Sequence, residues 1–242
     1  MTPHQIAPPD EAAPPWGASL PGRPLGGLTV LVVEDSRFAS EAVRLLCLRS
    51  GARLRRADSL RTAARHLQVY RPAVAIVDMG LPDGNGAGLI ARLAGQAPRL
   101  PVILGMSGDP GAEAAARAAG ADGFLGKPVE SLAQFQQAIL SALPQGMPPG
   151  GLRCLDPGTV RPDDSALRGD LSHIAAMLAG APDGGAIDHV ARFAAGLARA
   201  ARDAPLEQAA TALAQDHAAG LPPAAPLTRL GWLVRDRLAG AA

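Results

Sequence analysis

Aromatic side chains make up only 3% of this 242-residue chain. That argues against a sandwich or barrel, whose strands draw on aromatic and β-branched residues. Cysteine is almost missing: Cys47 and Cys154 lie far apart, so neither a disulfide framework nor a zinc site is expected, and both read as inert thiols. No sign of charge dominates, the formal net charge being +1, which removes any global pull toward nucleic acid, acidic membranes or polyanions. No apolar run reaches membrane-spanning length, and the start of the chain lacks the basic head and apolar stretch of a signal peptide. A cytoplasmic protein is expected. Lysine is scarce too: among 23 Lys+Arg, Lys127 is the only lysine.

The sequence that remains is Ala/Leu-rich, 48% hydrophobic, and long enough for one large or two modest domains. Residues 1–26, with PPDEAAPP and LPGRP, read as a Pro-rich disordered leader. Across 27–143, apolar runs alternate with helical patterns. LTVLVV (28–33), residues 53–57, AVAIVD (73–78), PVILGM (101–106) and DGFLG (122–126) read as strands. Helices follow from Ser36, Ser59, about Asn85, Pro110 and Ser131. Five strand–helix pairs in succession imply a (βα)5 parallel sheet with helices on both faces, a doubly wound α/β domain. Residues 144–162 are a Pro/Gly-rich linker, and 163–242 lack any strand signal.

Ligands of open parallel sheets gather outside the carboxyl ends of the strands. Here the first strand ends in Glu34-Asp35, the third in Asp78, the fourth in Ser107 and the fifth in Lys127-Pro128. Three carboxylates gathered at one edge repel one another, so a hard divalent cation such as Mg²⁺ is expected among them. A hydroxyl and an ammonium beside that ion are what an incoming phosphoryl group needs around its oxygens. Helix capping or a surface ion pair explains any one of these residues but not why all fall at strand ends. GNGAG (84–88) hints at a dinucleotide loop, but Leu89 stands in the third glycine's place and the motif follows the third strand.

These motifs, in this order, resemble the receiver domain of two-component response regulators. VLVVEDS supplies the acidic pair and IVDMGLPDGNG the phosphoacceptor loop. ILGMSGD supplies the hydroxyl, and GADGFLGKP the aromatic and the Lys-Pro. The resemblance implies a flavodoxin-like receiver in which Asp78 takes a phosphoryl group from a phosphohistidine on a sensor histidine kinase or histidine phosphotransferase. It implies Mg²⁺ held by Glu34, Asp35, Asp78 and the backbone carbonyl of Gly80, with Ser107 and Lys127 taking phosphoryl oxygens. It also implies a switch in which Ser107 shifts and Phe124 swings inward, a self-phosphorylating signalling device rather than a metabolic enzyme. Two positions depart from the family's commoner pattern: Gly108 follows Ser107 where Ala is more usual, and Phe124 stands for Tyr, without its hydroxyl.

The C-terminal part carries four amphipathic stripes: Leu167/Leu171/Ile174/Leu178, Ile187/Val190/Ala191/Ala194/Leu197, Leu206/Ala209/Leu213 and Leu227/Leu230/Val234/Leu238. They predict a small antiparallel bundle serving as an output or interaction domain, with an unnamed protein partner or a second copy. A DNA-binding output is the common companion of a receiver, but from Gly150 onward 9 Arg face 10 Asp+Glu, where a phosphate-gripping surface should be basic. His189, opposite its apolar stripe with Arg192 and Gly196 on the same side, resembles the histidine of a phosphotransfer bundle. The Lys-Gly that follows in that family is replaced by Arg192-Phe193, and a solvated surface histidine is the preferred reading. His217 reads as a packed core histidine. Trp232, off its helix's stripe, is expected to contact the receiver or a dimer mate.

Overall fold

The computed structural model describes residues 23–144, 158–180 and 184–240. The expected leader up to residue 22 and residues 145–157 of the expected linker lie outside them.

The first half is a five-stranded parallel sheet in the order β2-β1-β3-β6-β7. Its strands are β1 (Thr29–Val33), β2 (Arg53–Ala57), β3 (Val74–Asp78), β6 (Val102–Ser107) and β7 (Gly123–Gly126). The central strands are near-continuous apolar runs because both faces are covered. Alternation sends Val30 and Val32 into one core, with α1 (Arg37–Ser50) and α5 (Leu132–Ala142). Leu31 and Val33 enter the other, with α2 (Leu60–Val69), α3 (Gly86–Ala94) and α4 (Ala112–Ala118). β2, RLRRA, is an edge strand largely exposed, and its arginines discourage pairing with another chain. The sequence-predicted strands and helices all form, with ends shifted by a residue or two. Ser36, Ser59, Asn85 and Ser131 each accept an N-cap hydrogen bond. Unanticipated is a two-rung hairpin, β4 (Gly80–Leu81) with β5 (Gly84–Asn85), just beyond Asp78.

The packed structure reaches past the sheet at both ends. Leu25 is fully buried beside α1, and Val160 joins the same core, its N–H donating to the Glu130 carbonyl. Both residues fall in stretches expected to be leader and linker, where Pro/Gly context hides a single anchoring apolar residue.

Four helices follow: α6 (Asp164–Ala179), α7 (Gly184–Ala201), α8 (Ala204–Ala218) and α9 (Ala224–Gly240). They share one apolar core built from the four predicted stripes. Each helix packs on the next and α9 closes on α6, so α7 and α9 stand diagonally opposite. The bundle leans on the sheet domain through α6 and α7, which pack on α1, and Phe38 of α1 joins the bundle core. Trp232 on α9 is consequently far from the sheet domain and 59% exposed. The expected contact with the receiver is not made, since the diagonal position of α9 removes it.

Candidate functional site

The order β2-β1-β3 places the reversal of winding between β1 and β3, where the chain leaves the sheet in opposite directions and a crevice opens. Glu34 and Asp35 leave β1 there, and Asp78 ends β3. Carboxylate oxygens of these three residues lie within 4.8 Å of one another. Ser107, at the end of β6, and Lys127, just after β7, line the same cavity, as does Gly80. Lys127 Nζ lies 2.5 Å from Glu34 Oε2 and 2.8 Å from Asp78 Oδ1, while the Gly80 N–H donates to Asp78 Oδ2 at 3.0 Å. The Ser107 hydroxyl oxygen accepts from the Asp109 N–H at 3.1 Å. Phe124 is half-buried and packs among the α3/α4-side core, away from the carboxylates.

Gly86 makes the loop after Asp78 possible. A Cβ there would sit 2.0 Å from the Asp78 carbonyl oxygen, so the start of α3 can approach the end of β3 only with glycine. Gly86→Ala is expected to destabilise the protein by about 2–3 kcal/mol, measured by urea unfolding, because backbone rather than a flexible side chain must move.

Crowding sets the electrostatics. Burial pushes the Glu34 carboxyl well above the usual carboxylate range, and Asp78 and Asp35 add to the rise against the pull of Lys127. Burial likewise pushes Asp35 up, to about 6, with Lys127 opposing and Asp78 adding. For Lys127 burial disfavours the ammonium, but Glu34 and Asp78 outweigh it and hold its pKa above the ordinary lysine value. Between about pH 4 and the raised values, the folded protein keeps carboxyl protons that the unfolded chain has released, so stability falls as pH rises through that window. In metal-free protein, Asp35→Asn is expected to flatten the Tm-versus-pH curve between about pH 4 and pH 7, recovering on the order of 2–3 kcal/mol at neutrality.

A hard cation fits this donor set. Asp35 Oδ2 is buried without a hydrogen-bond partner, three carboxylates converge, and oxygen donors suit Mg²⁺. Glu34, Asp35 and Asp78 are the residues placed to hold it.

The other wall of the cavity comes from α7. Arg192, Phe193, Gly196 and Arg199 line it opposite Asp78, and His189 Nε2 lies 3.5 Å from Asp35 Oδ2. The His189 side chain is 14% exposed, so the preferred reading of a solvated surface histidine is overturned. A helix's polar face reads alike whether it meets water or an acidic pocket. Burial lowers the His189 pKa, with Arg192 and His173 adding and Asp78 opposing. His217 is only half-buried, its Nε2 3.7 Å from Asp188 Oδ1, rather than packed in the core.

Asp170 of α6 is the functional residue that sequence reasoning missed. Only 2% exposed, it accepts hydrogen bonds from Ser36 Oγ at 2.7 Å, Arg37 N at 2.9 Å and Phe38 N at 3.0 Å. A bundle carboxylate thus caps the start of α1, satisfying N–H groups that the first turn leaves free and meeting the positive end of the helix. Its signal was there: Asp170 is a charge on the Leu167/Leu171/Ile174 face. Arg199 also donates to the Gly108 carbonyl, and Arg202 pairs with Glu130 at 2.9 Å.

An acidic pocket with Lys127 and the Ser107 hydroxyl at the switch point of a (βα)5 sheet defines an α/β receiver. Residues 30–140 match the response regulator receiver domain, so this part of the chain is a receiver domain of two-component systems. It is 36% identical over 77 residues to the virulence transcriptional regulatory protein PhoP of Salmonella typhimurium, covering 32% of this chain and 34% of that one. With the transcriptional regulatory protein PhoP of Escherichia coli O157:H7 it shares 29% identity over 116 residues, 47% and 52% of the two chains. The chain thus spans between a third and about half of these curated relatives. Among solved structures, a putative response regulator from Chloroflexus aurantiacus is 32% identical with a TM-score of 0.43, covering 47% of this chain and 98% of that one. The receiver domain of a Pseudomonas aeruginosa sensor histidine kinase, solved with magnesium in its active-site cleft, is 22% identical with a TM-score of 0.43, covering 48% and 97%.

Proposed function

We propose that Asp78 accepts a phosphoryl group from a phosphohistidine on a sensor histidine kinase or histidine phosphotransferase, and that the docked bundle carries the signal onward by protein–protein contact in the cytoplasm. The convergence of Glu34, Asp35, Asp78, Ser107 and Lys127 on one cavity carries this reading. Mg²⁺ bound by the three carboxylates and the Gly80 carbonyl would neutralise charge on the transferring group. Asp78 Oδ1, already 2.8 Å from Lys127 Nζ, is the nucleophile. Lys127 would leave the carboxylate for a phosphoryl oxygen, and the Ser107 hydroxyl would turn from the Asp109 N–H to a second.

Output follows from what touches that loop. Gly108 is bonded to Arg199 and Glu130, three residues past Lys127, to Arg202. A shift of Ser107 toward the phosphoryl group drags Gly108 and loosens the grip of α7. The transcriptional names of the PhoP relatives favour a DNA-binding output as the second reading. Against it stands the near-neutral balance of 9 Arg and 10 Asp+Glu from Gly150 onward, where DNA binding draws on clustered cations. Among the described residues, no helix is long and apolar enough to cross a membrane.

The full chain incubated with Mg²⁺ and acetyl phosphate is expected to gain one phosphoryl mass sensitive to hydroxylamine, and Asp78→Asn none. Uptake that survives in Asp78→Asn, or no uptake in either protein, would sink the reading.

A further inference from the structure

Every strand of the parallel sheet starts, and every helix that returns along it ends, at the side opposite Asp78. Arginine gathers at that amino end. Arg49 and Arg92 lie in the last turns of α1 and α3, Arg65 near the end of α2, Arg53 at the start of β2 and Arg71 just before β3. Arg23 packs beside Gly51, which ends α1. All six are exposed, and none is paired with a carboxylate among the described residues. Arg49 and Arg71 donate instead to the Thr159 and Pro98 carbonyls. Among the described residues, Asp122 is the one carboxylate that the sheet domain places at this end, and it is paired with Arg99.

A near-zero net charge hides this separation. From residue 44 to residue 71 the chain has eight arginines against one carboxylate, Asp58, whereas Glu34, Asp35, Asp78 and Asp109 line the cavity at the opposite edge. Stabilisation of helix C-termini explains Arg49 and Arg92, but not Arg23, Arg53 or Arg71, which belong to loops and a strand start. Two large apolar side chains share this end. Leu48, in the last turn of α1, is 61% exposed, and Val69, the last residue of α2, is 84% exposed. Tyr70 follows, half-buried, its hydroxyl 3.1 Å from His66 Nδ1. A nucleic acid accounts for the cations and leaves Leu48 and Val69 idle. A lipid bilayer takes up both kinds of side chain, and an interfacial Tyr with them. Shape favours it too. The arginines surround the end of the sheet, from α1 on one face to α2 and α3 on the other, which suits a flat surface better than the line of a duplex backbone.

We propose that the amino end of the sheet is a docking surface for an anionic lipid bilayer, with the arginines on the headgroups and Leu48 and Val69 inserted between them. Each arginine near such a surface raises partitioning about fivefold. The acidic edge, which an anionic surface repels, then faces away from the bilayer with α7 over its cavity. Docking and phosphoryl uptake at Asp78 therefore use opposite ends of the domain and do not compete.

The test sediments the full chain with vesicles of phosphatidylglycerol and phosphatidylcholine in equal parts, and with vesicles of phosphatidylcholine alone. Binding is expected to the anionic vesicles and not to the neutral ones, and it should vanish at about 0.5 M salt, where screening confines charge interactions to a few ångström. Arg53→Gln with Arg65→Gln is expected to weaken binding about 25-fold, and Leu48→Ser with Val69→Ser about tenfold. These side chains are all exposed, so both double variants should keep the wild-type circular dichroism and phosphoryl uptake from acetyl phosphate. Equal binding to neutral vesicles, or binding that the arginine pair leaves intact, would overturn the surface. A serine pair that binds like wild type would overturn insertion into a bilayer. Capture of duplex DNA at the same salt without vesicle binding would assign the arginines to nucleic acid instead, and binding to neither would overturn a docking role for this end.

Discussion

Replacing Lys127 with methionine is expected to cost about 3–5 kcal/mol of stability at neutral pH in metal-free protein, and far less below about pH 5. The ammonium is the cation nearest the carboxylates, 2.5 Å from Glu34 and 2.8 Å from Asp78. Glu34 is fully buried and its carboxyl is already pushed up by burial and its acidic neighbours. Removing one member of a buried ionic cluster leaves charge that neither water nor a partner compensates. Protons can take the place of the ammonium at low pH, and Mg²⁺ can at neutral pH, so either should restore much of the loss. Chemical unfolding of wild type and variant at two pH values, with and without Mg²⁺, measures this directly. A loss equal at both pH values would mean that packing of the lysine stem, rather than its charge, matters. Phosphoryl uptake from acetyl phosphate should fall about 100- to 1,000-fold in the same variant, the typical effect of deleting one preorganised group that stabilises transition-state charge.

The sheet domain was readable because its signals are local. Every strand but the edge strand β2 is a short apolar run, and α1, α2, α3 and α5 each begin at a Ser or Asn whose side chain caps the helix. Parallel winding then sends every strand's carboxyl end to one edge, so the site residues could be gathered without coordinates. The hairpin at Gly80–Asn85 was not readable, since two-residue strands carry no period. The docking of the bundle was not readable for a different reason. Amphipathicity reports which face of a helix is buried in its own bundle and nothing about what its polar face meets. The polar face that carries His189 and Arg192 therefore reads as solvent-facing, and Trp232 does not reach the receiver that was one of its two expected contacts. Asp170 was the one clue to the docking, a carboxylate on an apolar stripe with no partner nearby in sequence.

Asp170→Ala should separate the bundle from the receiver while leaving both folded. The carboxylate is the only side chain that satisfies the Arg37 and Phe38 N–H groups at the start of α1, and it also holds the Ser36 hydroxyl. Loss of an N-cap costs about 0.5–2 kcal/mol, and charge-assisted hydrogen bonds about 1.5–3 each. These contributions overlap, so a docking loss of about 2–4 kcal/mol is expected. The sheet domain keeps both its cores and the bundle keeps its own, because Asp170 contributes apolar area to none of them. Hydrogen exchange should show the change as lost protection confined to the first turn of α1 and the receiver-facing side of α7, with the strands unaffected. If protection instead falls throughout α6–α9, the bundle depends on the receiver for folding and the docking is not a separable contact. The variant also isolates the chemistry. With α7 released, Asp78 should still take up phosphoryl from acetyl phosphate, because Glu34, Asp35, Asp78, Ser107 and Lys127 all lie in the sheet domain.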